Sequence, residues 1–101
     1  MSQSIRSLRR CAANGDCNAM YELALCSIVL AGKGKYARYF RWATYWAKKA
    51  DAQGHMLAAT LLGHIYSDKR YLGYSQKQAR VYYRRAFKRG HSYAKECLDS
   101  L

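Results

Sequence analysis

ATYWAKKADAQGHMLAATLLGHIY, residues 43–66, decides the fold, because the chain repeats it. Residues 79–98, ARVYYRRAFKRGHSYAKECL, follow the same pattern with Gly90 in the place of Gly54. Gly15 opens a third, partial copy, ANGDCNAMYELA. Aligning these three glycines puts Ala19, Ala58 and Ala94 in step, and likewise Leu23, Leu62 and Leu98. Upstream, Cys11, Ala50 and Ala86 coincide, as do Ser4, Ala43 and Ala79. The periods are 39 and 36 residues, the length of a stacked helix pair. The recurring small residues let neighbouring helices approach closely, while Leu23, Leu62, Trp46 and Tyr82 fill the gaps between them.

Each unit reads as two antiparallel helices. The first begins just after the glycine, with Asp16, His55 or His91 near its N-cap. The second covers residues 36–53 in one copy and 76–89 in the other. Ser75 followed by Gln78 is a capping box that marks the start of the latter. The loops AGKGKY and SDKRYLGYS separate the helices of each pair. Residues 3–13 align with a second helix only, and residues 91–101 with a first helix only. The expected organisation is one all-α domain over residues 1–101: a half-repeat cap (3–13), repeats at 16–53 and 55–89, and a closing half-repeat (91–101). That makes six helical segments in a short right-handed α-solenoid of antiparallel pairs, about two and a half repeats long.

Composition agrees. Proline, the strongest helix breaker, is absent, and half of the residues are hydrophobic. Eighteen Lys and Arg face six Asp and Glu, a net charge of +12. No acid lies between Glu22 and Asp51 or between Asp68 and Glu96, and those stretches hold six and nine cations. Ordinary soluble surfaces mix both signs, so this field points to an anionic partner. The start, MSQSIRSLRR, has no apolar stretch behind its arginines, and residues 23–31 are too few to span a bilayer. A soluble cytoplasmic protein is expected. Cys11, Cys17, Cys26 and Cys97 form no CxxC pair and read as reduced residues rather than disulfides.

The run A-x-x-W-A-K-K-A-x-x-Q-G-H-x-x-A-x-x-L-L-G-x-x-Y at residues 43–66 resembles the signature of the Sel-one-like repeat, kin to the tetratricopeptide repeat. A-x-x-Y-Y-R-R-A-x-x-x-G-H-x-x-A-x-x-x-L at residues 79–98 matches it again. The resemblance covers essentially the whole chain and implies a right-handed solenoid used as a protein-interaction scaffold, without enzymatic activity. Departures are a G-x-G-V-x-x-D loop reduced to Gly32-Lys33-Gly34 in one copy and to Gly73 in the other. The acids that often balance the family's basic positions are also missing.

The register stacks the doublets Arg9–Arg10, Lys48–Lys49 and Arg84–Arg85 across successive second helices. Helical spacing adds Arg38, Arg41, Lys77, Arg80 and Lys88 to the same side. This ridge is the candidate partner-binding surface; the plain alternative is a solvated face, the usual fate of a charge run. An acidic protein surface is the leading partner, for an adaptor, inhibitor or immunity-type binder. Nucleic acid is the alternative, since cations interleaved with aromatics suit single strands, although no nucleic-acid-reading motif is present. Of the aromatics, Trp42, Trp46, Tyr66, Tyr82 and Tyr83 sit at packing positions, whereas Tyr21, Tyr45, Tyr71 and Tyr74 suit exposure. Tyr93, Cys97, Leu98 and Leu101 form an apolar strip at the last helix, a candidate end contact for a partner or a second copy; the alternative is that all pack inward.

Catalysis is not expected. No HExxH, GxSxG or P-loop string occurs, no Cys/His spacing suits zinc, and the acids are scattered singly. No cofactor or metal is expected either. His55 and His91 share one repeat position, which favours a structural role at the helix start.

Overall fold

Three of the chain's turns are set by glycine. Gly15, Gly54 and Gly90 have φ values of +96°, +85° and +105°, a left-handed conformation that a side chain would strain. Around each, the same two backbone bonds close the preceding helix. Gly15, Gly54 and Gly90 donate to the carbonyls of Ala12, Asp51 and Phe87. Asp16, His55 and His91 donate back to those of Cys11, Ala50 and Ala86, each at 3.1 Å. This is the Schellman termination, made three times at the same register position.

The computed structural model of the chain describes residues 5–31, 36–69, 71 and 73–101. The Gly32-Lys33-Gly34 loop therefore lies outside the described residues, as do the first residues of the expected cap. Those described form six helices: α1 (Ile5–Ala13), α2 (Cys17–Ala31), α3 (Tyr36–Ala52), α4 (Met56–Ser67), α5 (Gln76–Lys88) and α6 (Tyr93–Asp99). Each packs against its neighbours in sequence, and α2 also meets α4. The radius of gyration is 13.0 Å, about that of any compact chain of this length.

Helix starts follow local chemistry. Asp16 Oδ1 accepts from the backbone N–H of Asn18 (3.0 Å) and Ala19 (3.2 Å), capping α2. Ser75 Oγ accepts from Gln78 N at 3.2 Å, as the capping box predicts, while the Ser75 N–H goes to the Tyr66 carbonyl. His55 stands at the N-cap of α4, where the register places it, but its side chain makes no cap hydrogen bond. Its Nε2 instead meets Asn18 Oδ1 at 3.0 Å, and its ring stacks on Tyr21 at 4.8 Å. His91 likewise reaches back one helix pair, to the Thr60 hydroxyl at 2.6 Å. Both histidines thus bind a first helix to the one before it.

The repeated inner residues are buried. Ala43, Ala58, Leu62, Ala79 and Ala94 are fully enclosed, and Ala19 and Leu23 nearly so. On α5, Ala79, Tyr83 and Ala86 face inward at the spacing of a single helix face. α4 is buried on nearly every side because α3 and α5 flank it and α2 touches it. At Gly63 the approach of α5 is so close that an added Cβ would lie 2.5 Å from Tyr83 Cδ1. Among the described residues, no helix is long and apolar enough to cross a membrane.

Candidate interaction surface

The predicted ridge is exposed wherever it is described. Arg9 and Arg10 on α1, Arg41, Lys48 and Lys49 on α3, and Lys77, Arg80, Arg84, Arg85 and Lys88 on α5 all reach solvent. Arg38 belongs to α3, but its side chain lies outside the described residues. The amphipathic pattern explains the exposure: Ala43, Ala47, Ala50, Ala79 and Ala86 turn these helices inward on the opposite side.

The cations nevertheless have three different settings. Arg84, Arg85 and Lys88 surround a shallow groove of about 480 Å³ on α5 together with Val81 and Arg89. Two of these guanidiniums are tied inward. Asp51, near the end of α3 and only 5% exposed, is paired with Arg85 through Oδ2 and with Arg89 through Oδ1 at 2.6 Å. Arg89 also donates to the carbonyls of Asp51 (3.2 Å) and His55 (3.3 Å). A buried carboxylate requires such partners. Arg85 is therefore partly a structural residue, and Arg89 is a member of the cluster that the sequence reading missed. The signal was available: Asp51 falls seven residues after Thr44 and four after Ala47, on the buried face of α3.

Lys48 and Lys49 lie over aromatic rings. Lys48 Nζ is 5.7 Å from the Tyr66 ring centre, and Lys49 Nζ is 4.8 Å from that of Tyr45 and 5.8 Å from that of Trp46. Hydrogen bonding to Tyr66 raises the Lys48 pKa, against a smaller lowering by desolvation. Behind Lys48, the rings of Phe40, Tyr71, Tyr66 and Tyr82 form a column, with neighbouring centres 5.4, 5.8 and 5.6 Å apart. The Arg85 guanidinium ends it, 5.1 Å from the centre of Tyr82.

Arg9 has the third setting. It borders a hollow of about 290 Å³ where α1, α2 and α3 meet, walled by Trp42, Tyr45 and Trp46 and floored by Leu23, Cys26 and Ser27. Trp42 is 44% exposed here, which corrects its assignment to a packing position. It falls one residue before the buried Ala43 and so turns off the inner face. Tyr45 and Tyr74 are exposed as expected, but Tyr21 and Tyr71 are half-buried, held against His55 and Phe40.

Along α2, α4 and α6, Leu25 and Tyr93 are exposed near His64 and His91. A groove of about 350 Å³ runs past Leu25, Leu57, His64, His91 and Tyr93. Tyr83 Oη lies 2.9 Å from His64 Nδ1. Desolvation, with His91 as a second cause, lowers the His64 pKa, and desolvation alone lowers that of His55. Desolvation pushes the Tyr83 hydroxyl up to about 12. At the end of the chain Tyr93 is half-exposed, whereas Cys97, Leu98 and Leu101 pack partly buried against the core. Among the described residues, no three His, Cys, Asp or Glu side chains converge as a metal site.

No family model, curated protein or solved structure matches this chain.

Proposed function

We propose that the chain is a non-enzymatic interaction module, a short right-handed solenoid of the Sel-one-like type, which docks on an acidic protein surface through its second helices. The observation that carries this reading is the disposition of charge around Asp51. That carboxylate is buried and answered by Arg85 and Arg89, while Arg41, Lys49, Lys77, Arg80, Arg84 and Lys88 stand at the surface of α3 and α5. Such a face accelerates encounter with an acidic partner and selects against basic ones. The module acts in the cytoplasm by occluding or bridging its partner, as an adaptor, an inhibitor or an immunity-type binder. The last helix offers a smaller contact through Tyr93, for a partner or a second copy.

A specific observation supports a second reading. Trp42 and Tyr45 are exposed, with Lys49 over the Tyr45 ring, an arrangement that suits bases stacked along a single strand. Titration against an acidic peptide and against a single-stranded oligonucleotide of equal charge separates the two. The expected result is tighter binding of the peptide, weakened at least tenfold by Arg84→Glu with Lys88→Glu while the helical circular-dichroism spectrum is kept. Oligonucleotide binding ten times tighter than peptide binding would transfer the function to nucleic acid.

A further inference from the structure

The hollow beside Arg9 has a filled counterpart in the same molecule. Thirty-nine residues separate Gly15 from Gly54, and the same step carries Arg9 to Lys48, Leu23 to Leu62, Cys26 to Ile65 and Ser27 to Tyr66. The step from Gly54 to Gly90 carries Trp46 to Tyr82. In the second copy the Tyr66 ring stacks on that of Tyr82, 3° from parallel with centres 5.6 Å apart, and Lys48 Nζ sits 5.7 Å from the Tyr66 ring centre. In the first copy the wall remains as Trp46 and the cation as Arg9. The residue that would fill the space is Ser27, with Cys26 where the second copy has Ile65. The hollow is thus the same socket without its plug.

We infer that this socket receives an aromatic side chain of tyrosine size, carried by an acidic segment of a partner protein. The volume fits one side chain: about 290 Å³ lies just below the roughly 300–1,000 Å³ of small-molecule sites. The chemistry follows from the internal counterpart, a ring stacked on an aromatic wall beside a cation. Charge complementarity sets the flanks. Arg9 lines the socket and Lys49 lies over two of its rings, with no acid among the described lining residues, so carboxylates on either side of the anchor are favoured. A single buried aromatic anchor ringed by complementary charge is how interfaces concentrate affinity.

This inference rests on the acidic-partner reading, and the test keeps the two apart. The chain's two tryptophans, Trp42 and Trp46, both line the socket, so their emission reports its occupancy. The probe is a fluorescein-labelled twelve-residue peptide of Glu and Asp with one central Tyr and no Trp, beside the same peptide with Ala at the centre. The Tyr peptide should shift the tryptophan emission and bind at least tenfold tighter than the Ala peptide by anisotropy. Ser27→Tyr copies Tyr66 and should plug the socket from within, removing the tenfold preference while both peptides still bind through the cations. Should that variant not fold, Cys26→Ile, which copies Ile65, narrows the socket and should cut the preference severalfold. Equal binding of the two peptides with unmoved emission overturns the socket and leaves the basic face standing. Failure of both peptides to bind at low salt overturns the acidic-partner reading and the socket with it.

Discussion

The helix pairs α2–α3 and α4–α5 share one register and are packed in two ways. Where α2 and α3 carry Ala24 and Ala47, α4 and α5 carry Gly63 and Tyr83. Where the first pair leaves a hollow between Ser27 and Trp46, the second fills it with Tyr66 against Tyr82. Lys49 lies over Tyr45, but its counterpart Arg85 is drawn onto Asp51. The repeat therefore repeats its turns and its small inner-face residues, while large side chains are redistributed from copy to copy. A position's place in the register tells which way it faces, and its neighbours tell what it does there.

Breaking the Asp51 cluster should have the largest effect. Arg85→Ala with Arg89→Ala leaves a carboxylate that is 5% exposed without its counter-charges. The expected loss is about 3 kcal/mol in urea unfolding, the low end for a broken buried pair, because both guanidiniums are partly solvated and screened. Lys49→Ala, the change at the matching place in α3, should stay within about 0.5 kcal/mol. Equal losses in the two variants would erase the distinction between a structural cation and a surface one.

The volume exchange gives the next effect. Gly63→Ala would place a methyl carbon 2.5 Å from Tyr83 Cδ1 and 2.8 Å from its Cζ. Tyr83 is 3% exposed and cannot swing clear, so overpacking should cost about 2 kcal/mol. Tyr83→Ala opens a cavity and is destabilising alone, but the double variant approximates the Ala24/Ala47 pairing. Its loss should fall below the sum of the single losses, the signature of contacting residues. Strict additivity would mean that the helices adjust their spacing independently of this contact.

These contrasts also mark how much the sequence could show. The turns were legible because left-handed backbone demands glycine, and the demand appears three times at matching places. Ala43, Ala58, Ala79 and Ala94 were legible because close helix approach tolerates little else. The exposed cations followed from helical spacing alone. Asp51 was harder: it sits in a cationic stretch, and only its spacing from Thr44 and Ala47 marks it as facing inward. Trp42 misled because aromatic character suggests burial, whereas its phase, one residue off the Ala43 face, was the better guide. The socket could not be seen because it depends on missing volume at Cys26 and Ser27, which has meaning only once the depth of the site is known.

The smallest effect is a pH dependence that belongs to the second pair. His64 bonds the Tyr83 hydroxyl at 2.9 Å, and its place in α2 is taken by Leu25, which does not titrate. Desolvation and the nearby His91 hold the His64 pKa below its usual value, so the folded chain resists protonation there. Between the ordinary histidine pKa, about 6.5, and the lower folded value, the unfolded chain binds more protons. Stability is therefore fully present above about pH 6.5, declines as pH falls through this window, and levels off below the folded pKa. His55 contributes with the same sign, since desolvation lowers it too. His64→Gln keeps a polar group facing Tyr83 and removes the titration. Urea midpoints measured from pH 7.5 to 5 should fall with a shallower slope in this variant than in the wild type, His55 supplying the remainder. Identical slopes would place the whole dependence on His55, and with it the coupling of α2 to α4 rather than of α4 to α5.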